Sequence, residues 1–382
     1  MKDEIVFPMK ILLYSSVFFP SVGGIETITA TLASNIISLG HKCIVVTETP
    51  IQKEQKFDYE VVRNPTWRER LKITKGCDII HSNGASVAMF PFAKLCKKPF
   101  VWTHNGYQVA CVDGLGWLNG SPAPITPRES LLFHLSEKGF FHFLKEAIKL
   151  NMRRYVADRV DLNIAATHWV AKRQPLKNQV VAYTPYPLEK FTSARQNIPK
   201  KYDFIYVGRL VSEKGIDTLL NAFQHLISEP EYRHKTLAVV GGGGKKEELE
   251  TLTNQLNLQN NVYFLGSHRG DDLIEIIEQA EIGVVPSIWE EPMGGVSLEL
   301  LAAGKKMIVS EFGGHAECLK DASLSFPNGD YVSLSQKMKL LISDHNIAKK
   351  ISENATLKIQ DFNETELTKK YVEIYEKVLS EN

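Results

Sequence analysis

The sequence predicts an α/β fold made of two doubly wound, Rossmann-like domains that face a central cleft. Short apolar segments typical of buried strands alternate with helical segments, as in "KILLYSS", "ETITATLASNIISLGH" and "KCIVVTE". The alternation stops at the Pro-containing stretch "YTPYPLEKFTSARQNIPKK" and starts again at "DFIYVGRL". Because a chain of 382 residues is too long for one typical core, we expect the two runs to form two domains.

The elements of both runs follow in βαβ order. "CDIIHSN" and "PFVWTHNG" continue the first run as strands, and "TLAVVGGGG", "NVYFLG", "IGVVPS" and "KKMIVSEFGG" continue the second. We place the first domain at residues 1–185 and the second at 186–361, with an amphipathic C-terminal helix at about 362–382 that packs back on the first domain. Ligands of such sheets bind beyond the carboxyl ends of the strands, so the strand-to-helix loops are expected to line the cleft.

The composition excludes several classes of protein. With 45 basic and 44 acidic residues the net charge is +1, which gives no support for a nucleic-acid partner bound through its phosphates. The five cysteines are scattered without a C-x-x-C pair, so we expect neither a disulfide framework nor a zinc site, and a cytoplasmic location. The first ten residues contain no apolar export segment, and no apolar stretch reaches the length of a bilayer span.

Two features of the first domain lie on such loops. In "VFFPSVGGIE", Gly23 and Gly24 precede a helix and let backbone N–H groups approach a diphosphate, although glycine pairs are also common in plain turns. His104 ends the strand in "PFVWTHNGY" on the cleft side. A lone histidine is more often structural than reactive, but a position at a strand end favours a functional role.

The first loop of the second domain, "VGRLVSEKG", carries two cations. Arg209 and Lys214 at one strand end suit a diphosphate and a leaving group that gains negative charge, whereas the alternative is a pair of solvated surface cations. The nearby "VVGGGGKKEE" is rejected as a dinucleotide fingerprint, because position 246 is lysine where G-x-G-x-x-G requires glycine.

A third loop of this domain, "IWEEPMGGVSLELLAAGKK", places Glu291 before a helix and Glu299 on it. A carboxylate accepts two hydrogen bonds from a vicinal diol, so Glu299 is a candidate for a ribose and Glu291 for sugar hydroxyls. Between them, Gly294, Gly295 and Val296 would present backbone N–H groups to phosphate or sugar oxygens. The alternative is that acidic residues near a helix start merely complement its dipole. Together with the preceding loops, the pattern describes a site for a nucleotide-diphospho-sugar.

At these positions the chain resembles the retaining GT-B glycosyltransferases of the large family-four type. The matching segments are "FFPSVGGIE", "THNG", "VGRLVSEKG" and "EPMGGVSLELLAAG", and the last contains the E-x7-E pattern in Glu291 and Glu299. The resemblance implies a GT-B fold and retention at the sugar, with a nucleotide-sugar donor, most commonly a UDP-sugar, as substrate. It also implies no cofactor and no metal, and the sequence contains no D-x-D motif.

The resemblance also assigns roles to single residues. It implies Gly23 and Gly24 near the donor diphosphate and His104 at the donor sugar. In the second domain it implies that Arg209 and Lys214 stabilise the phosphates. It also implies that Glu291 binds the sugar and Glu299 binds the ribose. Met293 and the pair Thr167–His168 depart from residues that are frequent in the family.

The acceptor site is expected in the long insertion after His104, with Trp117, Arg128 and His134 as candidates. The expected acceptor is a hydroxyl of a glycan, a lipid-linked glycan or a small molecule, as in polysaccharide or glycoconjugate biosynthesis. Residues 131–154 mix leucine and phenylalanine with lysine and arginine. Such a helix either lies peripherally on the cytoplasmic face of an anionic membrane or buries its apolar face in its own domain, and the second alternative is the more common.

Two alternatives to a transferase remain open on the sequence. A GT-B-like sugar-nucleotide epimerase needs no acceptor, and a phosphorylase would need a lysine environment for pyridoxal phosphate, for which no specific signal is present. A noncatalytic nucleotide-sugar-binding partner is disfavoured by the joint presence of Arg209, Lys214, Glu291 and Glu299.

Overall fold

A computed structural model describes residues 8–21, 23–51, 56–193 and 198–381, and these residues form two compact units. The first unit comprises residues up to 115, 124–187 and 362 onward, and the second comprises 116–123 and 188–361. Residues 1–7, most of the stretch inspected for an export signal, lie outside the described residues, as do Val22 of the glycine-pair loop and 194–197 of the inter-domain stretch.

The first unit is built on a parallel sheet with the strand order β3-β2-β1-β4-β5-β8-β9. The strands of this half of the chain are β1 Lys10–Ser15, β2 Lys42–Thr47, β3 Glu60–Arg63, β4 Ile79–Asn83, β5 Phe100–His104, β6 Trp117–Leu118, β7 Ser121–Pro122, β8 Leu162–Ala165 and β9 Gln179–Val181. The central strand β1 is buried apart from its first residue, since the sheet carries packed residues on both faces. The strands β6 and β7 form a separate antiparallel hairpin that groups with the second unit.

The helices of the first half are α1 Gly24–Ser38, α2 Trp67–Gly76, α3 Phe90–Cys96, α4 Pro127–Lys138, α5 Phe140–Ala157 and α6 His168–Arg173. They start where the sequence supplies caps. The Thr66 side chain and Glu69 form a reciprocal capping box at α2, and Thr167 caps α6 by accepting from the Val170 backbone N–H.

The second unit repeats the architecture with a parallel sheet of order β12-β11-β10-β13-β14-β15. Its strands are β10 Tyr202–Val207, β11 Leu237–Val240, β12 Val262–Gly266, β13 Ala280–Val285, β14 Lys306–Ser310 and β15 Ser323–Phe326. Its helices are α7 Glu189–Ser193, α8 Ile216–Ile227, α9 Lys246–Gln255, α10 Gly270–Glu278, α11 Gly295–Ala302, α12 Gly314–Leu319, α13 Tyr331–Ser343 and α14 His345–Lys358. The order of strands changes direction next to β10, where β11 and β13 flank it, so a ligand crevice is expected at this edge.

The last helix, α15 (Glu364–Ser380), belongs to the first unit. The Tyr371 hydroxyl donates to the Ala182 carbonyl at 3.3 Å, and the Tyr375 hydroxyl lies 2.7 Å from His81 Nδ1 on β4. The other nitrogen of His81 lies 2.7 Å from Thr103 Oγ1, so this buried ring is bonded at both ends. Burial lowers the pKa of His81 to about 3, which keeps the ring neutral.

Among the described residues, no helix combines the length and the apolar character that a bilayer crossing requires. Within the same residues, no cluster of three histidine, cysteine or carboxylate side chains is arranged to hold a metal ion.

The glycines of the second unit's loops allow neighbouring backbones to touch. A Cβ at Gly241 would overlap the Gly208 carbonyl oxygen, and a Cβ at Gly243 would overlap that of Leu210. The run of four glycines therefore packs against the "VGRL" loop. Gly215 has a positive φ of 64°, and a Cβ there would overlap the Pro286 carbonyl oxygen in the loop after β13.

We predict that Gly215→Ala lowers the free energy of unfolding by at least about 2 kcal/mol, since the new Cβ meets backbone that cannot move aside. Gly244→Ala is the matched control, because nothing lies within 4 Å of a Cβ at that position. Urea denaturation of both variants measures the difference. Equal midpoints for the two variants would contradict the close packing of the two loops.

Candidate active site

The loop after β10 carries the two cations that the sequence singled out. The Tyr206 hydroxyl donates to the Arg209 carbonyl at 2.8 Å, and Ser212–Lys214 forms one turn of 3-10 helix. The Arg209 side chain is 67% exposed and is held by an ion pair of 3.3 Å with Glu213. Its guanidinium is therefore anchored at one end and accessible to a phosphate at the other.

Lys214 forms a largely buried ion pair with Glu291. Lys214 Nζ lies 2.8 Å from Glu291 Oε1 and 5.5 Å from the centre of the Trp289 ring. The Ile288 backbone N–H also donates to the Glu213 carbonyl at 3.0 Å, so the loops after β10 and β13 are joined through both side chains and backbone. The structure thus brings together two residues that the sequence assigned to phosphates and to sugar hydroxyls separately.

Glu291 is held in its ionised form by its neighbours. Burial raises the pKa of this carboxyl, but the charges of Lys214 and His315 and hydrogen bonds from Lys214 and Ser287 outweigh burial and lower the pKa to about 2. The Glu291 carbonyl accepts from the Gly314 backbone N–H at 2.6 Å, which also fixes the backbone. Glu291 is therefore a negatively charged acceptor in a rigid position.

His315 and Ser287 contribute to the site, although no motif in the sequence pointed to either residue. His315 is fully buried, and its Nε2 lies 3.0 Å from Ser310 Oγ. Within the described part of the chain, His315 Nδ1 has no hydrogen-bond partner. Burial lowers the pKa of His315 while the Glu291 charge opposes that shift. The only signal was the histidine after "FGG", which on its own indicates a turn.

The helix α11 begins at Gly295, as predicted from the glycine pair. Gly294 adopts a left-handed conformation with φ 82°, and a Cβ there would lie 2.5 Å from His315 Cβ. The Ser297 backbone N–H donates to the Gly294 carbonyl at 3.0 Å, which closes the first turn. As in any helix, the first N–H groups, here those of Gly295 and Val296, have no intrahelical acceptor and suit an anionic oxygen.

Glu299 lies on α11 in surroundings opposite to those of Glu291. The residue is partly buried, and its carboxyl makes no hydrogen bond or ion pair within the described residues. Burial raises the pKa of Glu299 to about 7, and the charge of Lys190 offsets this only in part. A pair of hydroxyl donors would therefore supply what this carboxyl lacks.

In the first unit, Gly23 and Gly24 start α1, as the sequence predicts. Ser21 Oγ donates to Glu26 Oε1 at 2.8 Å, and a Cβ at Gly23 would lie 2.7 Å from Glu26 Oε2. A Cβ at Gly24 would lie 3.2 Å from the Tyr186 hydroxyl oxygen. Limited space rather than a positive φ favours glycine at these two positions.

His104 is fully buried at the end of β5. Its Nε2 lies 2.9 Å from Asn163 Oδ1, and its ring centre lies 4.5 Å from that of Trp102. Burial lowers the pKa of His104 to about 4, opposed by the hydrogen bond to Asn163. The neutral ring is suited to accept or donate a hydrogen bond rather than to carry charge.

The three acceptor candidates lie in different surroundings. Trp117 is on the hairpin that groups with the second unit, where its Nε1 donates to Ser212 Oγ at 2.9 Å, so it contacts the loop of Lys214. Arg128 is exposed in the first turn of α4. His134 is buried, with its Nε2 3.3 Å from Asp113 Oδ2, and its Nδ1 has no hydrogen-bond partner among the described residues. Trp117 thus belongs to the second unit, whereas Arg128 and His134 belong to the first.

The fold of the chain is the GT-B fold seen in solved glycosyltransferase structures. Residues 189–358, a little under half of the chain, match the family described as Glycosyl transferases group 1. The predicted resemblance to GT-B glycosyltransferases and the predicted fold of two Rossmann-like domains are confirmed, whereas retention and the role of the E-x7-E pattern stay predictions. The roles of the single residues stay predictions.

Three similar proteins illustrate the match. An uncharacterized glycosyltransferase MJ1607 of Methanocaldococcus jannaschii is 38% identical over 116 residues, which are 30% of this chain and only 29% of that protein. The phosphatidylinositol N-acetylglucosaminyltransferase gpi3 subunit of Schizosaccharomyces pombe is 23% identical over 97% of this chain and 81% of that protein. The crystal structure of Anabaena HepE in complex with UDP and glucose covers 96% of this chain and 99% of its own, with a TM-score of 0.71 at 18% identity.

The two glutamates predict opposite effects of pH on stability. The folded-state pKa of Glu299 is raised from 4.5 to about 7, so the wild type loses stability as pH rises through that window. Glu299→Gln should therefore be more stable than the wild type at about pH 8 and similar to it at about pH 4.5. The folded-state pKa of Glu291 is lowered from 4.5 to about 2, so its contribution is present above the unfolded pKa and is lost as pH falls.

Glu291→Gln should accordingly be less stable than the wild type at both pH values, because it also leaves Lys214 buried without its partner. Urea denaturation at about pH 4.5 and about pH 8 measures both variants. A Glu299→Gln effect that is the same at both pH values would show that this carboxyl titrates normally.

Proposed function

We propose that the protein transfers a sugar from a nucleotide-diphospho-sugar, most often a UDP-sugar, to an acceptor hydroxyl, with retention and without a metal ion. The observation that carries the proposal is the buried pair of Lys214 and Glu291 beside the exposed guanidinium of Arg209. These groups lie on loops that follow β10 and β13, the adjacent strands at which the strand order changes direction. The Anabaena HepE structure, which is in complex with UDP and glucose, supports a UDP-sugar donor.

In the proposed reaction, each charged side chain of the site binds a different part of the donor. Arg209 and Lys214 bind the diphosphate and stabilise the negative charge that it gains as the bond to the anomeric carbon breaks. Glu299 accepts from the ribose hydroxyls, and Glu291 together with the first N–H groups of α11 binds the sugar. His104 and the loop of Gly23 and Gly24 are assigned to the donor sugar and its diphosphate. The departing phosphate takes the proton of the attacking hydroxyl, on the same face of the sugar.

Transfer is tested with a panel of UDP-, GDP-, ADP- and dTDP-sugars. We predict that one base class raises the melting temperature and that nucleotide release then requires an added acceptor hydroxyl, with the anomeric configuration of the product retained by NMR. A donor at about 100 times its Kd stabilises the protein by about 2.7 kcal/mol, which a thermal shift detects. Lys214→Ala should lower kcat by roughly 10²-fold, as expected for a lost electrostatic stabiliser.

Glu353→Ala, a substitution of an exposed side chain in α14, is the control and should leave the rate unchanged. Circular dichroism verifies that both variants fold. Nucleotide release without any acceptor would indicate hydrolysis or epimerisation instead of transfer. A wild-type rate in Lys214→Ala would contradict the role of this lysine. Binding without any turnover would support a noncatalytic nucleotide-sugar-binding protein.

We further propose that the acceptor is linked to a lipid and that α5 lies on an anionic membrane. Large apolar side chains along one side of α5 are exposed: Phe140, Phe141, Leu144, Ile148, Met152 and Tyr155. Their spacing of three and four residues places most of them on one face of the helix. The more common alternative, a helix that buries its apolar face in its own domain, would leave these side chains covered. Lys145 and Arg154 are also exposed, and the Arg159 guanidinium lies 3.6 Å from the centre of the Tyr155 ring.

An apolar stripe flanked by basic residues suits the interface of an anionic bilayer, with the apolar side chains inserted and the cations at the headgroups. The Schizosaccharomyces pombe relative is named for phosphatidylinositol, which is a lipid. A peripheral location at the cytoplasmic face of the membrane follows from this proposal.

Flotation with vesicles that contain anionic lipid tests the membrane proposal. We predict that Ile148→Glu lowers the bound fraction by about tenfold or more, since a carboxylate replaces inserted apolar surface and repels the headgroups. Leu357→Glu in α14 is the matched control, because Leu357 is 67% and Ile148 63% exposed. Equal flotation of the two variants, or no flotation of the wild type, would contradict the proposal.

A further inference from the structure

The two ring nitrogens of His104 have different surroundings. Nε2 lies 2.9 Å from Asn163 Oδ1, whereas Nδ1 is buried and has no hydrogen-bond partner among the described residues. Asn163 is itself fully buried on β8, the strand next to β5. The protonation of Nδ1 therefore depends on what Asn163 presents to Nε2.

The orientation of the Asn163 amide follows from its other contacts. Its Nδ2 donates to the Ala157 carbonyl at 2.8 Å and to the Lys177 carbonyl at 2.9 Å. Carbonyl oxygens only accept hydrogen bonds, so the NH₂ end must face these two groups and the amide oxygen must face His104. Since that oxygen also only accepts, His104 Nε2 must carry the hydrogen.

In a neutral imidazole with hydrogen on Nε2, Nδ1 holds a lone pair and accepts. Burial keeps the His104 ring neutral at ordinary pH by lowering its pKa to about 4. The causes of that shift are burial and the Asn163 hydrogen bond, and no ionised side chain of the described residues contributes to it. A ring of this form accepts a hydrogen bond from a hydroxyl group and donates none to it.

We propose that Asn163 is a positioning residue that fixes His104 in the tautomer with hydrogen on Nε2, so that Nδ1 accepts a hydrogen bond from a hydroxyl of the bound sugar. The hydroxyl part of this inference rests on the proposed function, whereas the tautomer does not. His104 then takes no part as a general acid toward this hydroxyl, because Nδ1 carries no proton. A sugar in which fluorine replaces this hydroxyl loses the contact, since fluorine donates no hydrogen bond.

The tautomer is measured first, on the unliganded full-length chain. Two-bond proton–nitrogen correlation NMR at neutral pH distinguishes a protonated Nε2 from a protonated Nδ1, and His104→Gln assigns the signal. We expect His104 to show the hydrogen on Nε2. A hydrogen on Nδ1 would overturn the proposal whether or not the protein proves to be a transferase.

Asn163→Asp then tests the positioning role. The carboxylate still accepts from Nε2, but its charge raises the pKa of His104 and places a second proton on Nδ1. We expect kcat/KM at least about tenfold below the wild type at about pH 6, and recovery as pH rises past the raised pKa. The wild type should show no such rise, since its ring is already neutral there.

Asn261→Asp is the matched control, because the Asn261 amide likewise donates to two backbone carbonyls, those of Arg233 and Lys235, but contacts no histidine. This variant should follow the pH profile of the wild type. If Asn163→Asp is equally impaired at every pH, its role is structural and the proposal fails. If no donor is turned over at all, the proposed function fails, and the NMR measurement still decides the tautomer.

Discussion

The buried ion pair of Lys214 and Glu291 is the interaction on which the candidate site depends. This ion pair joins the loop after β10 to the loop after β13. The two loops are also connected by the hydrogen bond from the Ile288 N–H to the Glu213 carbonyl. They can approach this closely because residue 215 is glycine. A buried pair seldom adds to net stability, because desolvation of both charges offsets their attraction. Its value lies in position: an ammonium and a carboxylate are held side by side at the carboxyl ends of two adjacent strands, where a ligand of this fold binds.

The two glutamates of one motif show how surroundings decide chemistry. Glu291 has Lys214, Ser287 and His315 around it and stays ionised, whereas Glu299 is partly buried with only Lys190 to favour its charge. Glu291 is thus satisfied before any ligand arrives. Glu299 is not, and hydroxyl donors of a ribose would restore the stability of its ionised form. Glu291 is therefore positioned by its neighbours before a ligand binds, whereas the carboxyl of Glu299 would gain its hydrogen bonds from the ligand.

The sequence predicted the parallel sheets and the loops that carry the site, because strand and helix periodicities alternate clearly and carboxyl ends of parallel strands meet at one edge. It did not predict that Lys214 and Glu291, 77 residues apart, pair with each other, since that depends on β10 and β13 being neighbours. His315 and Ser287 were missed because their contacts come from folding alone. The sequence also left open whether the apolar face of α5 is exposed or buried. A helix that packs on its domain and a helix that lies on a membrane share the same amphipathic pattern.

The buried histidines argue for function in both units. His81 has a hydrogen-bond partner at each nitrogen, Tyr375 and Thr103, so this fold is able to satisfy a buried imidazole completely. His104 and His315 are equally buried, yet among the described residues each has a partner only at Nε2. A buried polar atom without a partner costs about 1–3 kcal/mol. His104 is the last residue of β5, and His315 contacts Ser310, the last residue of β14, so both rings lie near the carboxyl ends of sheet strands. A hydroxyl group of a bound ligand would supply the hydrogen bond that each of these two rings lacks among the described residues.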